Sequence, residues 1–182
     1  MSPSIQLLKD RYLKNIKKKP DLYIGIELEF PIVHTKGQPT DIEVSKNLMR
    51  FLIDALNLEV EKEDQDGNPI QLVEPMSQDR LLFEVSYTTL EFAFGRAQTI
   101  QEVEGRFEAY MKVIQEKLGE KAHAIQGWGI HPNWDQNDNR SVAYPRYQML
   151  MDYLHMGNRQ ERADLHDFPQ YGAFICGSQV QL

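Results

Sequence analysis

The stretch YIGIELEF, residues 23–30, constrains the fold more than any other segment of the chain. Ile24, Ile26, Leu28 and Phe30 fall on one face of an extended strand, and Gly25, Glu27 and Glu29 fall on the other. The period of two predicts a strand with one apolar and one polar side. Its two carboxylates then stand about 7 Å apart along the strand, pointing the same way. Two later segments repeat the pattern. Leu90, Phe92 and Phe94 alternate with Glu91 and Ala93, and Phe174, Cys176, Val180 and Leu182 alternate with Gln179 and Gln181. Glu84 lies just ahead of Glu91.

Strands that are apolar on one side belong to an antiparallel sheet covered on one face, whereas a doubly wound parallel sheet is apolar on both. The covering helices can be read from their spacing. Ile5, Leu8, Tyr12 and Ile16 predict a helix over 4–19, closed by Pro20. Thr40 and Glu43 form a capping box ahead of a helix to about residue 57, with Val44, Leu48, Leu52 and Leu56 on its inner face. Thr99 and Glu102 form a second box. The helix behind it carries Ile100, Val103, Phe107, Tyr110, Ile114 and Leu118 in one stripe and ends at Gly119. A further helix is expected over 145–156. Between these, 61–69 reads as an exposed charged loop and 70–74 as a short strand. Residues 81–95 read as two strand segments around a kink at Ser86–Thr89, 124–134 as a strand entering a Gly/Pro turn, and 174–182 as a last strand. The expected class is α+β, a mainly antiparallel sheet with helices on one face. The sequence stops inside its last strand, so residues 1–182 are expected to be the N-terminal part of one longer domain.

Bulk properties narrow the functional classes. A net charge of -7 argues against a nucleic-acid partner, which needs a basic surface. No run of about 18 apolar residues exists for a membrane span, and the N-terminus is too polar for a signal peptide. The single cysteine, Cys176, excludes an internal disulfide and suits a reducing cytoplasm.

A polar strand face meets water in any half-covered sheet, and that explains one glutamate well enough. The set Glu27, Glu29, Glu84, Glu91, Gln179 and Gln181 is different, because these strand positions add no lysine or arginine. Oxygen donors gathered without cations repel one another. Mg2+ or Mn2+ relieves that repulsion and keeps positions open for phosphate, so the pattern points to a divalent-metal site able to receive ATP. There is no phosphate-binding P-loop, no zinc-spaced Cys/His cluster and no G-x-S-x-G nucleophile turn. GWG at 127–129 reads as a tight turn, and among the scattered histidines only His131, in GIHPNW, stands at a strand end.

Five ordered segments resemble the glutamate–cysteine ligase family and its related carboxylate–amine ligases: GIELEF, FEVSYTTLEFAFG, GWGIHPNW, YPRYQMLMDYL and ICGSQVQL. The resemblance implies a glutamine-synthetase-like fold, in which a curved antiparallel sheet forms a funnel around metals and ATP, in enzymes usually more than twice this length. It implies Glu27, Glu29, Glu84, Glu91 and Gln179 as metal ligands and Arg146 as the catalytic cation. Tyr147, His131 and Gln181 would be substrate- or nucleotide-binding positions. The implied reaction phosphorylates the side-chain carboxylate of glutamate with ATP, and the amine of cysteine then displaces phosphate. Two other readings stay open: a non-catalytic metal- or nucleotide-binding module on the same sheet, and a metal-dependent phosphohydrolase.

Overall fold

The computed structural model describes residues 2–14, 16–17, 19–156, 168 and 170–182. Among the described residues seven strands make one sheet: β1 (Ile24–His34), β2 (Glu59–Glu63), β3 (Pro69–Val73), β4 (Arg80–Phe83), β5 (Thr89–Ala97), β6 (His123–Ile125) and β7 (Ser178–Gln181). They run in the order β2-β3-β4-β5-β1-β6, and β7 also pairs with β1. Every pairing is antiparallel. With 11 residues, β1 is long enough to hold β6 beside Ile32–His34 and β7 beside Gly25–Leu28. The fold is α+β, as the alternation predicts.

The apolar sheet face is covered by α2 (Ile42–Ala55) and α3 (Ile100–Gly119). From α2 come Leu48, Met49 and Leu52, and from α3 Val103, Tyr110, Ile114 and Leu118, all buried on Leu72, Leu81, Phe83, Leu90 and Phe92. Phe30, Phe92 and Phe107 form an aromatic triangle with centroids 5.5 to 5.7 Å apart, which locks α3 onto the centre of the sheet. The α3 cap is as expected, with Thr99 Oγ1 accepting from the Glu102 amide. Among the described residues no helix is long and apolar enough to cross a membrane.

Several expectations need correction. The helix expected over 4–19 is α1 (Pro3–Leu13), and residues 15 and 18 lie outside the described ones. Its stripe finds no core: Ile5, Leu8 and Tyr12 are exposed. The charged loop expected over 61–69 is half strand. β2 forms the sheet edge, where charged side chains protect an unpaired backbone row. The α2 cap is Asp41, which accepts from the Glu43 amide at 2.9 Å. Thr40 instead donates its hydroxyl to the Ile32 carbonyl at 2.6 Å. The strand expected over 124–134 shrinks to β6, followed by a lone bridge between Ile130 and Ile175. The last strand shrinks to β7, preceded by a 3-10 turn at Tyr171–Ala173.

One buried polar knot secures the far end of β5. Asp79 accepts from the Gly95 amide at 2.7 Å, from Arg106 Nη1 at 2.6 Å and from the Tyr110 hydroxyl at 3.0 Å. Gly95 is required there by close approach, since a Cβ would stand 1.9 Å from the Ser77 carbonyl oxygen.

Candidate functional site

Antiparallel partners point to the same side of a sheet, so register alone assembles the site. Glu29 lies opposite Glu91, Glu27 lies opposite both Ala93 and Gln179, and Gly25 lies opposite Gln181. Glu27, Glu29, Glu91, Gln179 and Gln181 therefore share the face turned away from α2 and α3. Glu84 follows the last residue of β4 directly and adds its field to that of the others. The next residue, Val85, has φ of 61°, a left-handed conformation that a β-branched side chain rarely adopts. The connection from β4 to β5 turns at this strained position.

The electrostatics follow from the crowding. Burial first, then the charge of Glu84 and those of Glu27 and Glu29, push the Glu91 carboxyl up to about 8. Burial likewise raises Glu29, opposed by a hydrogen bond from the Gly177 amide and reinforced by Glu84 and Glu27. That amide reaches Glu29 Oε2 at 2.7 Å, while the Glu29 amide donates to the Gly177 carbonyl at 2.9 Å. The reciprocal pair fixes one oxygen of Glu29. Gln181 reaches Glu27 Oε1 at 3.4 Å. Among the described residues no three His, Cys, Asp or Glu side chains are gathered tightly enough to hold an ion as they stand. The donor set nonetheless suits a hard divalent cation: carboxylate and amide oxygens on one face, where burial first and neighbouring negative charge second raise two carboxyl groups. Side-chain rotation would have to bring them together.

The other expected site residues divide. Tyr147, on α4 (Pro145–Met156), is buried and donates to the Phe83 carbonyl at 3.0 Å and to Glu84 Oε2 at 3.1 Å. It ties α4 to the end of β4 and orients Glu84. Arg146, its neighbour, is exposed and forms no hydrogen bond or ion pair among the described residues, so its guanidinium can meet an anion. His131 is not presented to a ligand. It is fully buried, Nδ1 accepts from the Asn133 amide at 3.1 Å, and Nε2 lies 2.9 Å from the Ile32 carbonyl. Burial lowers its pKa and keeps it neutral. Together with Thr40 it latches the 128–134 turn to β1. Burial above all pushes the Cys176 thiol up to about 12, so little of it is thiolate near neutral pH.

The same face does carry cations, which sequence reasoning missed. Arg80 lies opposite Ala93, and Lys62 lies opposite Gln71, whose partner Leu82 lies opposite Glu91. Both cations stand toward the β2 edge and are engaged: Arg80 with Glu61 at 2.7 and 3.0 Å, Lys62 with Gln71 at 2.8 Å. The alternation of Arg80, Leu82 and Glu84 against Leu81 and Phe83 is the signal that would have found Arg80. The uncompensated acidic stretch is thus confined to β5, β1 and β7.

A family model described as glutamate-cysteine ligase family 2 (GCS2) matches residues 23–182. The chain belongs to that family. A comparison with curated proteins gives no match. The family match spans every strand of the sheet and leaves out α1, the helix with no buried residue. Within this glutamate–cysteine ligase family 2 chain, Glu27, Glu29, Glu84, Glu91, Gln179 and Gln181 all lie inside the matched segment.

Proposed function

We propose that this protein is an ATP-dependent carboxylate–amine ligase that joins glutamate to cysteine, giving γ-glutamylcysteine by way of an acyl phosphate in the cytoplasm. Family membership supports the ligase class. The observation that carries the reading is the register of Glu27, Glu29 and Glu91 on one face with no cation among them and Glu91 raised to about 8. Such a face stores repulsion that Mg2+ or Mn2+ would discharge. When bound, a divalent cation supplies charge neutralisation for the phosphates of ATP.

The residues that would hold it are Glu27, Glu29 and Glu91, with Glu84 and Gln179 flanking them. Glu29 is aimed by the Gly177 amide, and Glu84 by the Tyr147 hydroxyl. Glu91 is largely protonated near neutral pH and must release its proton to become a ligand, so cation affinity should rise with pH through about 8. Arg146 can orient an anionic substrate through a charge-assisted, two-pronged contact. Gln181, opposite Gly25 and 3.4 Å from Glu27 Oε1, would contact the substrate from the same row.

The test is ADP release in a coupled assay. The expected result is turnover that requires Mg2+, glutamate and cysteine together, with an Arg146→Ala loss of about 10- to 100-fold in kcat/KM, the scale of one hydrogen-bonded charge. ADP release that continues at full rate without an amine would instead indicate a phosphohydrolase. Binding of ATP and Mg2+ without any turnover would indicate a non-catalytic module.

A further inference from the structure

The connection from β4 to β5 is held by one serine. The Ser86 amide donates to the Glu84 carbonyl at 2.7 Å, a bond that spans the single residue Val85 with its φ of 61°. A three-residue turn with positive φ at its centre is the rare, strained form of the γ-turn. Such backbone persists only where its surroundings over-determine it, and it gathers at functional sites. The residue on the near side of the strained one is Glu84, which stands close enough to Glu91 to share a hydrogen bond with it.

Two distant segments do the holding. The Val142 amide donates to the Val85 carbonyl at 2.7 Å. The Ser86 hydroxyl donates to the Ala173 carbonyl, 87 residues away in the chain, at 2.7 Å. A hydroxyl has one proton, so the Thr88 hydroxyl, at 2.9 Å, is the donor to Ser86 Oγ, and the Thr88 amide adds a second bond at 3.3 Å. Ser86, Thr88 and Ala173 are all buried, so water does not compete for these contacts. Glu84 is thus gripped twice: Tyr147 takes its carboxylate and Ser86 its backbone.

The far end of the Ser86 bond matters as much. Ala173 closes the 3-10 turn at Tyr171–Ala173. The residues after it are fastened to the 128–134 turn, with the His131 amide donating to the Phe174 carbonyl at 2.8 Å and the Cys176 amide to the Gly129 carbonyl at 2.9 Å. Gly177, whose amide aims Glu29, follows directly. A buried serine that merely filled its bonding capacity would find partners close in sequence, as it does in Thr88. Ser86 instead gives its proton to the segment that leads into Gly177. We propose that Ser86 is a positioning residue for the acidic face: its bond to Ala173 holds the strained turn, and the turn holds Glu84 beside Glu91, where a divalent cation would meet it. The proposal rests on the divalent-cation reading of this face and adds to it a residue that touches no cation itself. Without the hydroxyl the Ala173 carbonyl is left buried and unpaired, Val85 is free to leave its left-handed conformation, and Glu84 moves away from Glu91.

Mn2+ titration of the whole chain at pH 8, read by the electron-spin-resonance signal of the free ion, tests this as a double-mutant cycle. Ser86→Ala is expected to weaken Mn2+ binding by about tenfold, the scale of losing a residue that orients a ligand. Glu84→Gln should weaken it by a similar factor, and Ser86→Ala in the Glu84→Gln background should add no more than about twofold, because both changes act on one ligand. Thr88→Val removes a comparably buried hydroxyl from the same knot but leaves the bond to Ala173. It should lower the urea midpoint while Mn2+ affinity stays within about twofold. Should Ser86→Ala fail to fold, Ser86→Cys, close in shape and a far weaker donor, replaces it in the cycle. Unchanged affinity in the Ser86 variant, a further loss of about tenfold in the Glu84→Gln background, or an equal loss in Thr88→Val would each overturn the proposal and leave the metal site standing. No Mn2+ binding by the wild-type protein would overturn both.

Discussion

Glu91→Gln is expected to stabilise the metal-free protein at pH 8 by about 2 kcal/mol, an unusual direction for a substitution at a buried position. Glu91 lies directly opposite Glu29 and is raised to about 8 by burial and by three neighbouring carboxylates. Between its unfolded value of 4.5 and about 8 the folded protein holds a proton at Glu91 that the unfolded chain has lost. Unfolding free energy therefore falls as pH rises through that window and levels off above it. Glutamine keeps the shape and carries no charge, so the variant lacks most of the decline. Partial access to water is the reason for placing the effect well below the full linkage value. Urea unfolding in EDTA at pH 5 and pH 8 measures it, and identical pH profiles for the two proteins would refute the crowding of charge on this face.

Asp79→Ala should have the opposite and larger effect, a loss of about 3–5 kcal/mol. Asp79 is buried and satisfies three donors at once, from Gly95, Arg106 and Tyr110. Truncation leaves Arg106, whose side chain is only 24% exposed, without its counter-charge, and strips the Tyr110 hydroxyl of its acceptor. Asp79→Asn retains some of these contacts and should cost less. The midpoint of thermal unfolding reads both. A change under 1 kcal/mol in Asp79→Ala would mean that the knot is more open to water than its geometry indicates.

The particular residues show what a sequence can disclose here. Alternation along β1 and β5 places Glu27, Glu29 and Glu91 on one side because side-chain direction in a strand is a local property. The α3 helix is legible for the same reason: its cap and its stripe are both written within one segment. What was not legible depends on distant partners. Edge strand β2 hides in a charged run because Glu61 and Lys62 are engaged by Arg80 and Gln71 on other strands. Thr40 has the right spacing for a cap, yet it is drawn to the Ile32 carbonyl beside His131. His131 looks like a ligand-facing histidine in its turn, and only burial reveals it as a latch. The α1 stripe shows the reverse failure, a regular pattern with no surface of the described chain against it.

The central claim is that the face of β5, β1 and β7 holds a divalent cation, and Mn2+ titration at pH 8 tests it most directly. The account predicts saturable binding to the wild-type protein, about tenfold or more weaker in Glu27→Gln, Glu29→Gln and Glu91→Gln alike, with Glu61→Gln, whose carboxylate is taken up by Arg80, unchanged. Equal Mn2+ affinity in the wild type and all three acidic-face variants, or no binding at all, would contradict it.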